Sequence, residues 1–297
     1  MAREKIQKPK KHLIHLRVNR SLGGNIAIFS IVFLFAAFMV LPLLYAVFSA
    51  FKPLDEIYIF PPRFFPKRPT WDNFVQLKLL ADSFWIPLSK YIFNSVFVSV
   101  VATVGHLLLS SMAAYPLAKL HFAGKKTLNS VVKLSLLFTS AAMLIPQYIV
   151  MAELNIVNTY WAYILPALQS ALGLYLMINF MSMVPESMLE AARIDGAGEW
   201  RIWWSIVMPN IKPAWLTVMV FTFQSVWNTS GTTQMSTLVY DEKIKMVSSL
   251  LSQVVAGGTA RAGAGAALGL LLMLPPVLIF LFSQSKIIET MSASGMK

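Results

Sequence analysis

Residues 190–209, EAARIDGAGEWRIWWSIVMP, decide how this chain is read. They form a charged, small-residue segment between two apolar runs that are each long enough to cross a bilayer. A membrane chain that keeps such a segment between spans presents it to something in water. Ser187 to Ile194 predicts a short helix, and Pro185 precedes it at a position that suits a helix start. Glu186 and Glu190 are four apart and Glu190 and Arg193 three apart, so one polar edge carries both signs. Ala191 and Ala192 keep the adjoining surface flat enough for another backbone to approach. Gly196 and Gly198 break the helix and permit a tight bend. Trp200, Trp203 and Trp204 then add apolar area, and Pro209 is expected to end the run. The pattern describes a two-piece helical plug. An amphipathic helix lying on the membrane surface is the competing reading, which the tryptophans also suit.

Composition sets the solvent around this plug. The 297 residues are 57% hydrophobic and 13% charged, whereas a soluble domain carries about 25% charged residues. That is too much apolar surface for one soluble core, so much of it faces lipid. Runs able to cross a hydrocarbon core of about 30 Å fall near Asn25–Phe48, Tyr91–Tyr115, Leu128–Val150, Tyr160–Met183, Ala214–Thr232 and Ala262–Ser283. The expected fold is therefore all-α: a polytopic membrane protein of six transmembrane helices. Polar residues interrupt the second and fifth runs. The chain divides into a basic N-terminal segment at 1–22, a six-span domain at 23–286 containing the polar loop 184–213, and a tail at 287–297.

The net charge of +12 could suggest nucleic acid, but its placement argues for lipid. Seven Lys/Arg (Arg3, Lys5, Lys8, Lys10, Lys11, Arg17, Arg20) directly precede the first apolar run, as a cytoplasmic anchor on anionic lipid would. That run is also too long for a cleavable signal peptide, and no small-residue cleavage site closes it. With the N-terminus in the cytoplasm and six alternating spans, 16 of the 25 Lys/Arg fall inside and 9 outside. The positive-inside rule thus favours a multi-pass protein of the cell membrane with both termini and the loop 184–213 cytoplasmic.

The first outer loop, residues 51–74, holds five prolines that favour an extended path, and Trp71, Phe74 and Trp85 suit the headgroup interface. It reads as an interfacial connector or as a docking surface for an external protein. Val255–Gly269 is rich in Gly and Ala, which lets helix backbones approach closely in lipid. No Gly-Lys-Ser/Thr follows it, so it is not a phosphate-binding loop. The spans contain no Asp or Glu; His106 reads as a packed core residue and Lys133 as a snorkelling one. Cysteine is absent and no metal-ligand or paired-acid motif occurs, so neither a catalytic nor a metal site is expected. The chain carries no energy source of its own.

Glu190, Ala191, Ala192, Gly196, Ile206, Met208 and Pro209 resemble the signature loop of the permease subunits of bacterial ABC importers, with Met208 in place of the usual leucine. The Phe51-Lys52-Pro53 loop, with its acidic pair and prolines, is similar to that of carbohydrate importers. The ending Ser294–Lys297 looks like the tail of the smaller permease of maltose-type importers, so Ser292 to Lys297 is expected to reach the ATPase interface. The resemblance implies that Glu190, Ala191, Ala192, Arg193, Asp195, Gly196, Ile206 and Pro209 couple to a cytoplasmic ATPase, which binds ATP and Mg, while this chain holds no cofactor. It further implies a second homologous permease, two ATP-binding subunits, an external solute-binding protein and an oligosaccharide cargo. Gln224, Trp227 and Asn228 are candidates for the substrate path, since aromatic faces stack on sugar rings and amides bond hydroxyls. Asn94, Gln169 and Asn179 are further polar residues in spans, for which interhelical hydrogen bonding competes. A permease of the same architecture for peptides or another solute, and an ion-coupled secondary transporter, are the alternatives.

Overall fold

Hydrocarbon offers the backbone no hydrogen-bond partner, so a spanning segment must satisfy its own amides, and helices follow. The computed structural model describes residues 22–83, 86–138, 140–229 and 233–294; among these, every regular element is helical. The seven N-terminal cations, Trp85, Ser230, Thr232 and residues 295–297 lie outside the described residues. In chain order the main helices are α1 (Leu22–Ala50), α2 (Asp72–Asp82), α3 (Leu88–Lys119), α4 (Lys125–Ser135), α5 (Ser140–Glu153), α6 (Trp161–Leu168), α7 (Ala171–Ser182) and α8 (Glu186–Ile194). They continue as α9 (Glu199–Asn210), α10 (Lys212–Thr229) and α11 (Ala262–Ser294).

The chain forms two units, one ending at Tyr45 and one beginning at Ala46. The first is the body of α1, whose apolar side chains are exposed all round. That is the signature of a helix made for an apolar solvent.

Among the described residues four helical stretches are long and apolar enough to cross a membrane: Gly23–Ala50, Leu88–Lys119, Trp161–Ser182 and Gly258–Gln284. A fifth candidate passes by length and composition only when α9 and α10 are counted together, and the 82° bend between them separates α9 from the line of α10. The expected third run, Leu128–Val150, is not one helix but α4 and α5. Leu137 and Phe138 bond back to Leu134 and Ser135, and the Ser135 hydroxyl donates to the Val132 carbonyl, which tightens and ends α4. No proline causes this break, which is why the apolar run concealed it.

Within the second unit α3 packs against α6, α7 and α10, and α10 against α11. The buried face of α3 is rich in small and polar residues: Asn94, Ser95, Ser99, Thr103, His106 and Ser110 turn inward, with Tyr91, Val98, Ala102 and Tyr115 among them. Its outward face carries Phe93, Phe97, Val100, Val104 and Leu108. Small side chains bring the backbones close, and van der Waals contact then holds helices together where no hydrophobic force acts between them. His106 is 1% exposed, and its Nδ1–H donates to the Leu168 carbonyl at 3.1 Å. It thereby satisfies a carbonyl freed where α6 gives way to α7. Gly173 is where the backbone meets this ring: a Cβ there would sit 2.0 Å from His106 Nε2. The Gly/Ala segment behaves likewise, since a Cβ on Gly263 would lie 2.1 Å from Asn73 Oδ1.

The segment after α1 is more structured than its prolines suggest. Pro53 starts a single turn, Leu54–Ile57, and α2 begins beyond the last proline of the loop. Glu56 is buried and accepts the backbone N–H groups of Lys67 and Arg68 at 2.8 and 3.1 Å, while Asn73 donates to the carbonyls of Ala50 and Lys52. These bonds fold the loop on itself. At the same end, Asn94 donates to the carbonyls of Lys243 and Lys245 and accepts from Tyr160 Oη, so its role is to bond between segments.

Gly173→Ala should destabilise the bundle by about 1–3 kcal/mol through overpacking, seen as a lower melting temperature in detergent. In a His106→Ala background, which itself loses the bond to Leu168, adding Gly173→Ala should cost much less than it does in the unaltered chain, because the atom that clashes is gone.

Candidate functional site

The segment between α7 and α10 folds as two helical pieces. Pro185, extended at φ −60 and ψ 135, caps α8, which begins at Glu186, one residue earlier than expected. Leu189 and Ala192 turn into the core, packing with Met177, Met181, Ile202 and Trp203. Glu190, Ala191, Ile194 and Asp195 lie on the exposed side, Ile194 at 87%. The helix ends in a Schellman motif: the Ala197 N–H donates to the Ala192 carbonyl at 2.9 Å and the Gly196 N–H to the Arg193 carbonyl at 3.0 Å. Gly196 has φ +79 with open space around it, so backbone conformation alone asks for glycine.

Extended Gly198 then caps α9. Its middle, Trp203–Val207, is a π-helical turn in which the Met208 N–H bonds to the Trp203 carbonyl. Pro209, which has no N–H to give, follows directly. The helix does not end at Pro209: it runs to Asn210, and the chain turns at Ile211 into α10. Trp203 is buried, edge-on to Trp200 and tilted against Trp204, which are 69% and 56% exposed. Ile206 is half-buried and Pro209 exposed.

The charges are arranged differently from the simple helical edge. Arg193 does not pair with Glu190; its Nε donates to Glu199 at 2.9 Å, and a second nitrogen lies 3.7 Å from Glu186. Tyr115 donates to the other oxygen of Glu199. Lys119, 7% exposed, lies 3.5 Å from Glu186 and donates to the carbonyls of Ser182 and Val184. The bonds from Arg193 and then Tyr115 hold the Glu199 carboxyl below the usual carboxylate range, and the same bond to Glu199 raises Arg193. The sequence hid these two partners because they end a different span, some 70 residues upstream of the loop. Their signal was a tyrosine and a lysine one turn apart at the end of an apolar run.

The suggested substrate-path residues do not form one surface. Trp227 is 1% exposed, stacks on Phe223 at 5.6 Å and donates its indole N–H to the Leu272 carbonyl at 3.0 Å. It is a core residue joining α10 to α11. Gln224 and Asn228 are exposed, the Asn228 amide donating to the Gln224 carbonyl at 3.0 Å. Gln169 and Asn179 are also exposed. A cavity of about 190 Å³ lies beside α10, lined by Ser170, Gly173, Thr222 and Ser225 among others. It sits at the junction of α6 and α7. Among the described residues no group of His, Asp or Glu could hold a metal ion.

The segment between α7 and α10 is thus capped, bent and braced by charge. The chain belongs to the family described as the binding-protein-dependent transport system inner membrane component, matched over residues 106–291. It is 32% identical to Protein LplC of Bacillus subtilis, over 72% of this chain and 71% of that one. It is also 32% identical to the arabinooligosaccharides transport system permease protein AraQ of Halalkalibacterium halodurans, over 66% and 70%. Its fold matches a chain of a bacterial ABC transporter involved in import of the acidic polysaccharide alginate, with a TM-score of 0.72 at 22% identity, covering 90% of this chain and 98% of that one.

Trp227→Phe should keep the ring stack and lose the bond to Leu272, costing about 1 kcal/mol of stability, read as a lower melting temperature. Transport normalised to folded protein should be unchanged; a selective loss of transport would return Trp227 to the path.

Proposed function

We propose that this chain is one permease subunit of an ATP-driven oligosaccharide importer of the ABC class. It forms half of a pathway completed by a second, homologous permease. Two cytoplasmic ATP-binding subunits, with their ATP and Mg, supply the work, and an external solute-binding protein delivers the cargo. The observation that carries this reading is the segment 186–210: its exposed face of Glu190, Ala191, Ile194 and Asp195 ends in a glycine-made bend, within a family of binding-protein-dependent transport components. Such a surface suits insertion into a cleft of the motor. Ala191 and Gly196 allow close approach, while Arg193, Ile206 and Pro209 shape the base on which it stands.

Six crossings, with α4 and α5 together making the third, put the segment, both termini and the larger share of Lys/Arg on the cytoplasmic side. Transport is alternating access: two arrangements of the spans, biased through the segment by the nucleotide state of the partner. Oligosaccharide is the cargo favoured by the relatives, which include AraQ and a permease of Bacillus subtilis named for polygalacturonan and rhamnogalacturonan transport. Gln224, Asn228 and the hydroxyls of Ser170, Thr222 and Ser225, which interrupt an otherwise mostly apolar cavity, offer the polar contacts a sugar needs.

Glu190→Lys reverses a charge on the exposed face without touching the core. Uptake and binding-protein-stimulated ATP hydrolysis should fall while membrane insertion is unchanged. For cargo, a strain lacking this gene should lose uptake of one class among labelled arabinan, rhamnogalacturonan, chitin and alginate oligosaccharides, and keep peptide uptake. Oligosaccharide uptake by the purified chain with no ATPase present would overturn the proposal.

A further inference from the structure

We propose that Tyr115 and Lys119, in the last turns of α3, are positioning residues for coupling: they clamp the end of α3 to the segment 186–210 so that the two move as one body. The proposal rests on the coupling role of that segment. Its basis is a closed ring. Lys119 meets Glu186 at the start of α8; Arg193, at the end of α8, reaches both Glu186 and Glu199; Glu199, at the start of α9, accepts from Tyr115, one turn before Lys119. The path leaves α3, crosses both pieces of the plug and returns to α3.

Each link answers a mechanical weakness. The segment is joined to its flanking spans through joints: Met183–Pro185 follows α7, and the chain bends by 82° between α9 and α10. The Gly196–Gly198 bend would also let α8 swing against α9. Arg193 braces that bend by bonding Glu199 across it at 2.9 Å. Lys119 fastens the α7–α8 joint by donating to the carbonyls of Ser182 and Val184. Burying an ammonium is costly unless it is paired and fully bonded, and here two carbonyls and a carboxylate surround it. A push on the exposed face of α8 is therefore delivered to α3, the helix against which α6, α7 and α10 all pack. The flanking spans alone would take it up in their joints.

The test uses the assembled transporter in nanodiscs, reading MgATP hydrolysis with and without the external binding protein. The chain has no cysteine, so Tyr115→Cys/Glu199→Cys can be bridged selectively by a flexible bifunctional thiol reagent. Unbridged, the double variant should lose binding-protein-stimulated hydrolysis about tenfold or more, since Glu199→Cys removes the partner of Arg193 as well as that of Tyr115; bridging should restore the part that the tie from α3 supplies. Tyr115→Phe, which lacks only the hydroxyl, should show the loss at a normal level of assembly, and it decides the matter if the double variant does not assemble. Full stimulation in the unbridged variants, or a bridge that leaves stimulation lost, would overturn the clamp. Absence of stimulation in the unaltered transporter would instead remove the coupling role itself.

Discussion

The inside-out character of α3 is the constraint on which the second unit depends. In a soluble helix the polar face meets water; here Ser95, Ser99, Thr103 and His106 point into the bundle, and Phe93, Phe97 and Val104 point away. The inversion has a simple physical origin. Lipid tails do not drive apolar side chains together, so the helices adhere where small residues allow close contact and polar groups find each other. Remove that stripe and α6, α7 and α10 lose the surface they share.

The same stripe continues into the candidate site. At one end of α3 Asn94 ties down the chain at Lys243 and Lys245; midway His106 covers the carbonyl freed between α6 and α7; at the other end Tyr115 and Lys119 engage the plug. One face of one helix therefore serves three purposes at three depths. A stiff beam is a suitable element to receive a force at one end and reposition the spans along its length, because packed cores shift between discrete arrangements and do not deform continuously.

Much of the plug was legible in the sequence because its determinants are local. Pro185 starts α8 and Gly196 terminates it through a backbone angle that other residues adopt at a cost. Both act over a few residues. The partners of Arg193 were not legible for the opposite reason. Glu190 is its helical neighbour by spacing, yet Glu199 holds it most closely, because the chain reverses at Gly196–Gly198 and returns Glu199 to its side, while Glu186, two turns back on the same helix, is the second partner. Spacing describes a helix that continues, and this one does not. Trp227 shows what spacing does not convey: it is near Gln224 and Asn228 in sequence, yet its side chain is buried and its N–H bonds to the carbonyl of Leu272 on α11.

By itself the sequence determined the solvent and the element type. Apolar runs of this length with so few charges leave the backbone no choice but helices, and the polar segment between two runs stands out from them by its charge. Only the tertiary structure decided where the runs break and which faces meet. The parting of α4 from α5, the seating of His106 against Gly173, and the ring from α3 through the plug all join residues far apart in the chain. Hydropathy counts how much of a helix dislikes water. It carries no information about which neighbour will lie against each side, and that is set by close packing between whole helices.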